Sequence, residues 1–198
     1  MDDIVRSAMA KWPDVPAVFG WLALDRRGQW RIKGESAGNP VLNAFINRNY
    51  THDEHGRWFF QNGPQRVFVE LAYTPFVYRL PASAEAAVLQ AHSGASAHEI
   101  RAAYVDETGT IIIDTELGPG TIDDRDLNEI PAHLTSACGA TLEDDALLAA
   151  LAAPESCGLR LRHGPTLVPV QAMRSGEIEA RLGFVRKPLA PPDAEPCC

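Results

Sequence analysis

The sequence predicts an α+β protein of two small β-rich lobes, in which antiparallel sheets are covered by short helices. Short runs of alternating apolar and polar residues recur along the chain, and this pattern is typical of strands with one buried face. Turn signals such as Asp-x-x-Gly and Asn62-Gly63 separate these runs. The 198 residues are 45% apolar and 22% charged, which is ordinary for a folded protein and sufficient for one medium domain or two small ones.

The first 80 residues are predicted to form the N-terminal lobe. Asp25 and Gly28 are typical of a hairpin turn, because Asp bonds its own backbone and Gly supplies positive φ. Asn39 is a suitable N-cap and Pro40 suits the first helical position, so a helix is expected from there to Asn49. The other expected elements are a helix capped by Asp2 and Asp3, and strands over residues 19–25, 29–33, 57–61, 65–71 and 73–80.

A shift toward alanine, serine and acidic residues predicts a boundary or linker over residues 81–98. The C-terminal β-rich lobe is then expected over residues 99–187. Residues 188–198 are Pro-rich and are predicted to form a disordered tail. Within the second lobe we expect strands over residues 99–105, 110–114, 158–162, 166–173 and 177–187, and helices over 123–134 and 142–151.

A similar sequence pattern occurs in both predicted lobes. Residues 24–32 resemble residues 105–113, since each segment carries Asp-x-x-Gly in a hairpin that precedes a glycine-containing loop and a helix. The turn that begins at Asp53 repeats the pattern a third time. The repetition has two interpretations, an internal duplication or the frequent use of such turns in β-rich proteins. The sequence alone favours the second.

The charge distribution bears on the choice of partners. Residues 1–80 contain ten Lys/Arg and eight Asp/Glu, whereas residues 81–198 contain eight and eighteen, giving a formal net charge of −8 for the chain. Proteins that bind nucleic acid or membrane surfaces usually concentrate basic residues on one face. The sequence therefore does not favour nucleic acid as a partner and predicts no membrane association.

The cysteines and the N-terminus predict a cytoplasmic location. Cys138 and Cys157 stand alone and Cys197-Cys198 are neighbours, so the spacing fits neither a zinc site nor a disulfide scaffold. The N-terminus lacks an apolar core of signal-peptide length, and no run of about eighteen apolar residues occurs. Reduced thiols in a cytosol are the simplest interpretation.

The turn His52-Asp53-Glu54-His55 is a weak candidate for a metal site. Imidazole and carboxylate groups are ligands for zinc, and an ordered pair could act as acid and base. Neighbouring residues on a turn point in different directions, however, and no His-x-x-x-His pair is present. A solvated hairpin turn is therefore the favoured interpretation of His52, Asp53 and His55, and no metal or cofactor is expected.

Cys138 is a second weak candidate, because it lies just before a predicted helix start. A thiol at such a position can have a depressed pKa and become a nucleophile. No residue in the sequence identifies a partner base, so no chemical role is assigned to it.

Arginine and aromatic residues are concentrated in the strands after residue 56. They could form an open sheet face that binds a partner, or a platform on which bases stack. The competing interpretation is a sheet covered by its helices, with Trp58, Phe60 and Phe76 in the core. The candidate binding residues are Arg57, Trp58, Phe60, Arg66, Phe68 and Arg79.

Three segments of the first lobe carry a resemblance to known proteins. They are the run Phe19–Trp30, the run Arg57–Leu71 with its Asn-Gly-Pro turn, and Thr74-Pro75-Phe76-Val77. These segments resemble a family of small proteobacterial proteins of unknown function, matched well over residues 17–80 and more loosely over 98–134. The resemblance implies a bacterial, cytosolic protein with a two-part β-rich fold, and it implies no chemistry.

The expected function rests on the density of aromatic and arginine residues in the sheet of residues 57–79 and on the absence of a catalytic constellation in the sequence. We expect a non-enzymatic binding or regulatory module that engages a protein partner or a second copy of itself. The alternative is a small-molecule enzyme or ligand-binding protein that uses a cleft between the lobes, with His52, Asp53 or His55.

Overall fold

The computed structural model describes residues 1–12, 15–81, 83 and 85–190. The chain divides into two compact units. Unit 1 comprises Met1–Pro75 and Gly183–Cys198, and unit 2 comprises Phe76–Leu182. Within the described part of the chain, no helix is long and apolar enough to cross a bilayer.

Unit 1 is a six-stranded sheet with helices. Its described elements are α1 (Asp3–Lys11), β1 (Val18–Leu24), β2 (Trp30–Ile32), β3 (Glu35–Ser36), α2 (Pro40–Arg48), β4 (Tyr50–His52), β5 (Trp58–Asn62) and β6 (Gln65–Leu71). The strand order is β3-β2-β1-β6-β5-β4. All neighbours are antiparallel except β1 and β6, which run parallel.

Helix α2 begins where the sequence predicts. Asn39 Oδ1 accepts hydrogen bonds from the backbone N–H groups of Val41, at 3.0 Å, and Leu42, at 3.3 Å. These bonds satisfy donors that a first helical turn otherwise leaves free. The ring of Phe45 then meets the ring of Phe60 edge-on, with centroids 5.4 Å apart. The helix therefore covers β5.

Unit 2 is larger and contains a nine-stranded sheet. Its described elements are β7 (Phe76–Arg79), β8 (Leu89–Ala91), β9 (Ser96–Ala97), β10 (Ile100–Val105), β11 (Ile111–Thr115), β12 (Pro119–Ile122), a 3₁₀ turn (Asp124–Asp126), α3 (Ile130–His133), β13 (Leu134–Thr135), α4 (Asp144–Ala152), α5 (Pro154–Cys157), β14 (Arg160–His163), β15 (Thr166–Ala172) and α6 (Ile178–Leu182). The strand order is β13-β14-β15-β10-β11-β12-β7-β8-β9. The pairs β10/β15 and β7/β12 are parallel.

These two sheets with short helices confirm the predicted α+β class. The sheets are mixed rather than purely antiparallel, because the first strand of each hairpin also pairs with a distant strand in the parallel sense. Such long-range pairing leaves no local signal in the sequence, whereas hairpin turns do.

The two sheets share one topology. The order β3-β2-β1-β6-β5-β4 in unit 1 is repeated in unit 2 by β12-β11-β10-β15-β14-β13. Corresponding pairs of strands also run in the same relative directions. Leu22 pairs with Ile32 and Val69 in unit 1. Ala103 pairs with Ile113 and Val170 in unit 2. Ile32 and Ile113 each lie ten residues after the residue with which they pair, so the two hairpins have the same register.

A sequence repeat accompanies the shared topology. Residues 62–71 read NGPQRVFVEL and residues 163–172 read HGPTLVPVQA, with Gly, Pro and two Val in the same places. The backbone repeats as well, because Ala72 N donates to Leu24 O at 2.9 Å and Met173 N donates to Val105 O at 3.0 Å. Shared order, register and sequence favour internal duplication over coincidental turns.

The observed division of the chain differs from the expected boundaries. Strands β8 and β9 occupy part of the predicted linker over residues 81–98. The predicted strand over 177–187 contains α6, after which the chain from Gly183 belongs to unit 1. Most of the predicted tail, residues 191–198, lies outside the described residues.

Candidate functional site

The turn from His52 to His55 is held together by Asp53. Its Oδ1 atom accepts the backbone N–H groups of His55 and Arg57, both at 3.0 Å. Its Oδ2 atom accepts the guanidinium of Arg57, at 2.8 Å from Nε and 2.7 Å from the terminal nitrogen. The Asp53 carboxylate therefore stabilises the turn through hydrogen bonds to its backbone and to Arg57.

The equivalent aspartates use the same geometry. Asp25 Oδ1 accepts the backbone N–H groups two and four residues ahead, at 2.9 Å each. Asp106 Oδ1 does so at 2.8 and 2.9 Å. This pattern explains why Asp-x-x-Gly recurs in the sequence.

The histidines of the first turn lie apart from one another. His52 is exposed, packs its ring 4.8 Å from Trp58, and places Nδ1 2.9 Å from Asp53 O. His55 lies 3.6 Å from the exposed carboxylate of Glu54. Over the described residues, no three His, Cys, Asp or Glu side chains converge in a way that could hold a metal ion.

The pKa of Asp53 predicts part of the acid stability of the protein. Partial burial raises this pKa, but the hydrogen bonds from Arg57 and the backbone outweigh it and hold it below the ordinary 3.8. A lowered folded-state pKa stabilises the fold above the unfolded value, and this contribution is lost as the pH falls through the folded value. We expect the free energy of unfolding of Asp53→Asn, measured by urea denaturation, to decrease less steeply than that of wild type as the pH falls below 3.8. Glu54→Gln, with an 87% exposed side chain, should keep the wild-type slope.

The aromatic residues predicted for an open sheet face are buried. Trp58, Phe60 and Phe68 are each at most 5% exposed. One face of Phe68 stacks on Phe19, with centroids 4.6 Å apart, and the guanidinium of Arg57 lies 4.8 Å from its centroid. Both faces of this ring are therefore covered within unit 1.

The arginines of the predicted surface have separate surroundings. The guanidinium of Arg66, an exposed residue, lies 4.9 Å from the ring centroid of Phe59. Arg79 belongs to unit 2, where its Nε lies 2.9 and 2.8 Å from the carboxylate oxygens of Asp126. The six predicted binding residues are therefore divided between the two units.

Cys138 is exposed, with its Sγ 3.2 Å from the Ser136 hydroxyl. This hydrogen bond lowers the pKa of the thiol, assisted by the backbone N–H of Ala140. Neither group is a base that could take a proton from the thiol, so these contacts do not supply a general base for Cys138.

A groove of about 700 Å³ lies within unit 2, beside helix α4. The helix lines it with Leu148, Leu151 and Ala152, which have the i, i+3, i+4 spacing of one helical face. A different face, with Leu147 and Ala150, is buried in the unit. A surface helix usually has one apolar stripe, and α4 has two. Leu148 is 67% exposed, so no side chain among the described residues covers the part of the second stripe that it forms.

The opposite side of the groove carries charge. It is formed by the β10–β11 turn and the chain after β15, where Glu107, Arg174 and Glu177 line the groove together with the buried Met173. The hydroxyl and backbone N–H of Ser175 bond to Glu107 and lower its pKa, so this carboxylate is charged at neutral pH. With Asp106, three acids and one arginine line the groove, which makes it acidic.

The sequence contained one signal for this groove. The α4 segment DDALLAALA is apolar on every side after its first turn, which is unusual for an exposed helix. The other lining residues come from segments more than 60 positions apart, namely 105–109 and 172–177. The parallel pairing of β10 and β15 brings these segments together.

One comparison with a solved structure supports the fold, and none of the comparisons assigns an activity. A crystal structure of a DUF1285 family protein from Silicibacter pomeroyi DSS-3 is similar, with a TM-score of 0.53 and 17% identity over 85% of this chain and 94% of that one. A DUF1285 family protein from Shewanella baltica OS155 has a TM-score of 0.42 and 13% identity over 55% of this chain and 87% of that one. No curated protein matches the chain.

The family assignment rests on a match over nearly the whole chain. The family model DUF2944, described as "Protein of unknown function (DUF2946)", matches residues 1–189. The predicted resemblance to proteins of unknown function is therefore confirmed. The chain belongs to the DUF2944 family.

Proposed function

We propose that the protein is a non-enzymatic binding module that engages a short segment of a protein partner through the groove of unit 2. One observation carries the proposal, which is the second apolar face of α4. Water-exposed apolar surface of this kind is unfavourable for an isolated protein and is typical of interaction sites. Helical apolar residues at this spacing commonly form one wall of a peptide-binding groove.

The partner surface proposed here differs from the strands after residue 56. Trp58, Phe60 and Phe68 are buried, so a partner would have to displace core packing to reach them. Leu148 and Leu151 need no such displacement. The module is proposed to act in the cytoplasm of a bacterium, since the exposed Cys138 and Cys157 are free thiols suited to a reducing compartment.

A random-peptide phage library tests the proposal. Selection on the wild-type chain should enrich clones that bind Leu148→Asp at least about tenfold more weakly, because a carboxylate replaces the apolar contact. The substitution is at an exposed site, so the fold should be retained. The matched control is Val41→Asp on α2, where the valine is 78% exposed, and it should bind the clones as wild type does. Enrichment of clones that do not distinguish Leu148→Asp, or no enrichment, would contradict the proposal.

A second candidate is a small-molecule binder that uses the same groove. The volume of about 700 Å³ favours it, because ligand pockets commonly span roughly 300–1,000 Å³. A metabolite that raises the melting temperature of wild type but not of Leu148→Asp would support this candidate over the peptide-binding one.

A further inference from the structure

The part of unit 1 that corresponds to the groove of unit 2 is occupied by a segment of the chain itself. The shared registers match the β1–β2 turn to the β10–β11 turn and the end of β6 to the end of β15. Leu71 and Tyr73 then correspond to the lining residues Ala172 and Arg174, and Arg26 corresponds to Glu107. Unit 1 therefore contains an internal comparison for the groove.

The corresponding place in unit 1 is covered by residues 183–187, the docked segment. Val185 N donates to Gly56 O at 3.0 Å, and Leu71 N donates to Arg186 O at 2.8 Å, so the segment is held through its backbone. Phe184 is buried. The guanidinium of Arg186 lies 5.0 Å from the ring centroid of Tyr73. The occupant is thus an apolar stretch followed by a basic residue.

In unit 2 helix α5 takes the backbone position of the docked segment, and the described residues leave the groove beside it open. Ala172 N, which corresponds to the Leu71 donor, bonds to the Glu155 carboxylate at 2.7 Å. Arg174 is exposed, whereas Tyr73 at the corresponding position is buried. The groove beside these residues remains open and is lined by Leu148 and Met173.

The groove of unit 2 and the corresponding part of unit 1 differ in charge, and this difference indicates the kind of segment that the groove could bind. Unit 1 has Arg26 where unit 2 has Glu107, and the groove also carries Glu177 and a single Arg174. Asp106 is not a difference, because Asp25 is its equivalent in unit 1. The apolar lining of the groove suits aliphatic or aromatic side chains, and its acidic side suits a cation. Both features match the chemistry of the docked segment.

We propose that the groove of unit 2 binds an extended segment of a partner protein in which apolar residues precede an arginine or lysine. The inference rests on the proposed function and adds the chemistry of the partner. The acidic side selects for a basic residue, and the apolar face of α4 takes the side chains before it. Segments without the basic residue bind more weakly, because they lack the attraction between a cation and the acidic side of the groove.

A labelled peptide with the sequence of the docked segment and its continuation, Gly-Phe-Val-Arg-Lys-Pro-Leu, is the probe. Fluorescence anisotropy with the full chain should show saturable binding that Leu148→Asp and Glu177→Lys each weaken by about tenfold or more. Glu35→Lys, an exposed substitution in unit 1, changes the net charge equally and should leave the affinity within about twofold. A peptide with glutamate in place of its arginine should bind at least about tenfold more weakly than the probe.

The outcomes separate this inference from the proposed function. If phage clones depend on Leu148 but lack basic residues, and the probe does not bind, the proposed function stands and the inference is overturned. If the probe binds but Leu148→Asp and Glu177→Lys leave its affinity unchanged, it occupies another place and the inference is also overturned. Binding that both variants and the glutamate peptide weaken supports it.

Discussion

Substitution of Gly56 by alanine is expected to lower the free energy of unfolding by about 3 kcal/mol, because two unfavourable effects combine at this position. Gly56 has a φ of +72°, a conformation that strains residues with a side chain. An added Cβ would also meet the carbonyl oxygen of Gly183 and lie 2.9 Å from Phe184 Cα. Both are backbone atoms, so the docked segment would have to move. Urea denaturation measures the loss.

Gly34→Ala is the matched control for this prediction. Gly34 has a φ of +85°, and nothing lies within 4 Å of an added Cβ. Only the backbone strain then applies, and we expect a loss of about 1 kcal/mol. Equal losses in the two variants would show that the docked segment does not pack on Gly56.

Substitution of Arg79 by methionine is expected to cost about 3 kcal/mol, because it leaves a buried carboxylate without its ion-pair partner. The Asp126 side chain is 5% exposed and accepts both the Arg79 guanidinium and, at 2.8 Å, the backbone N–H of Leu80. The predicted binding residue Arg79 would thus act on the stability of unit 2. Chemical denaturation followed by far-UV circular dichroism measures the effect.

The double variant Arg79→Met/Asp126→Asn distinguishes loss of the ion pair from loss of packing. The amide oxygen of asparagine can still accept the Leu80 N–H, and no buried charge remains. We expect more than half of the lost stability to return. A double variant as unstable as Arg79→Met alone would mean that the aliphatic part of Arg79, and not its charge, supports this region.

Local features of the fold were predictable because short-range chemistry determines them. Asn39 caps α2 through its own side chain, and Asp25 and Asp106 close their turns through hydrogen bonds two and four residues away. The parallel pairs and the unit to which residues 183–187 belong depend on long-range contacts, which no local pattern specifies. The expected strand over 177–187 differs from α6 for the same reason.

The candidate site was less predictable than the fold. Aromatic residues near arginines suggested an open surface, but Phe68 is covered by a neighbouring ring and by Arg57. Burial of this kind is decided by tertiary packing and not by the alternation of the strand. The two apolar faces of α4 were visible in the sequence, and their meaning depended on which face the unit buries.

Amide chemical-shift mapping of the ¹⁵N-labelled full chain tests most directly whether the groove of unit 2 is a binding site. Titration with the seven-residue probe should shift the amides of the groove-lining residues, foremost Glu107, Leu148 and Met173. The amides of Gly56 and Leu71, where unit 1 already holds its own segment, should not move. Shifts confined to Gly56 and Leu71, or no shifts at saturating probe, would contradict binding in the groove.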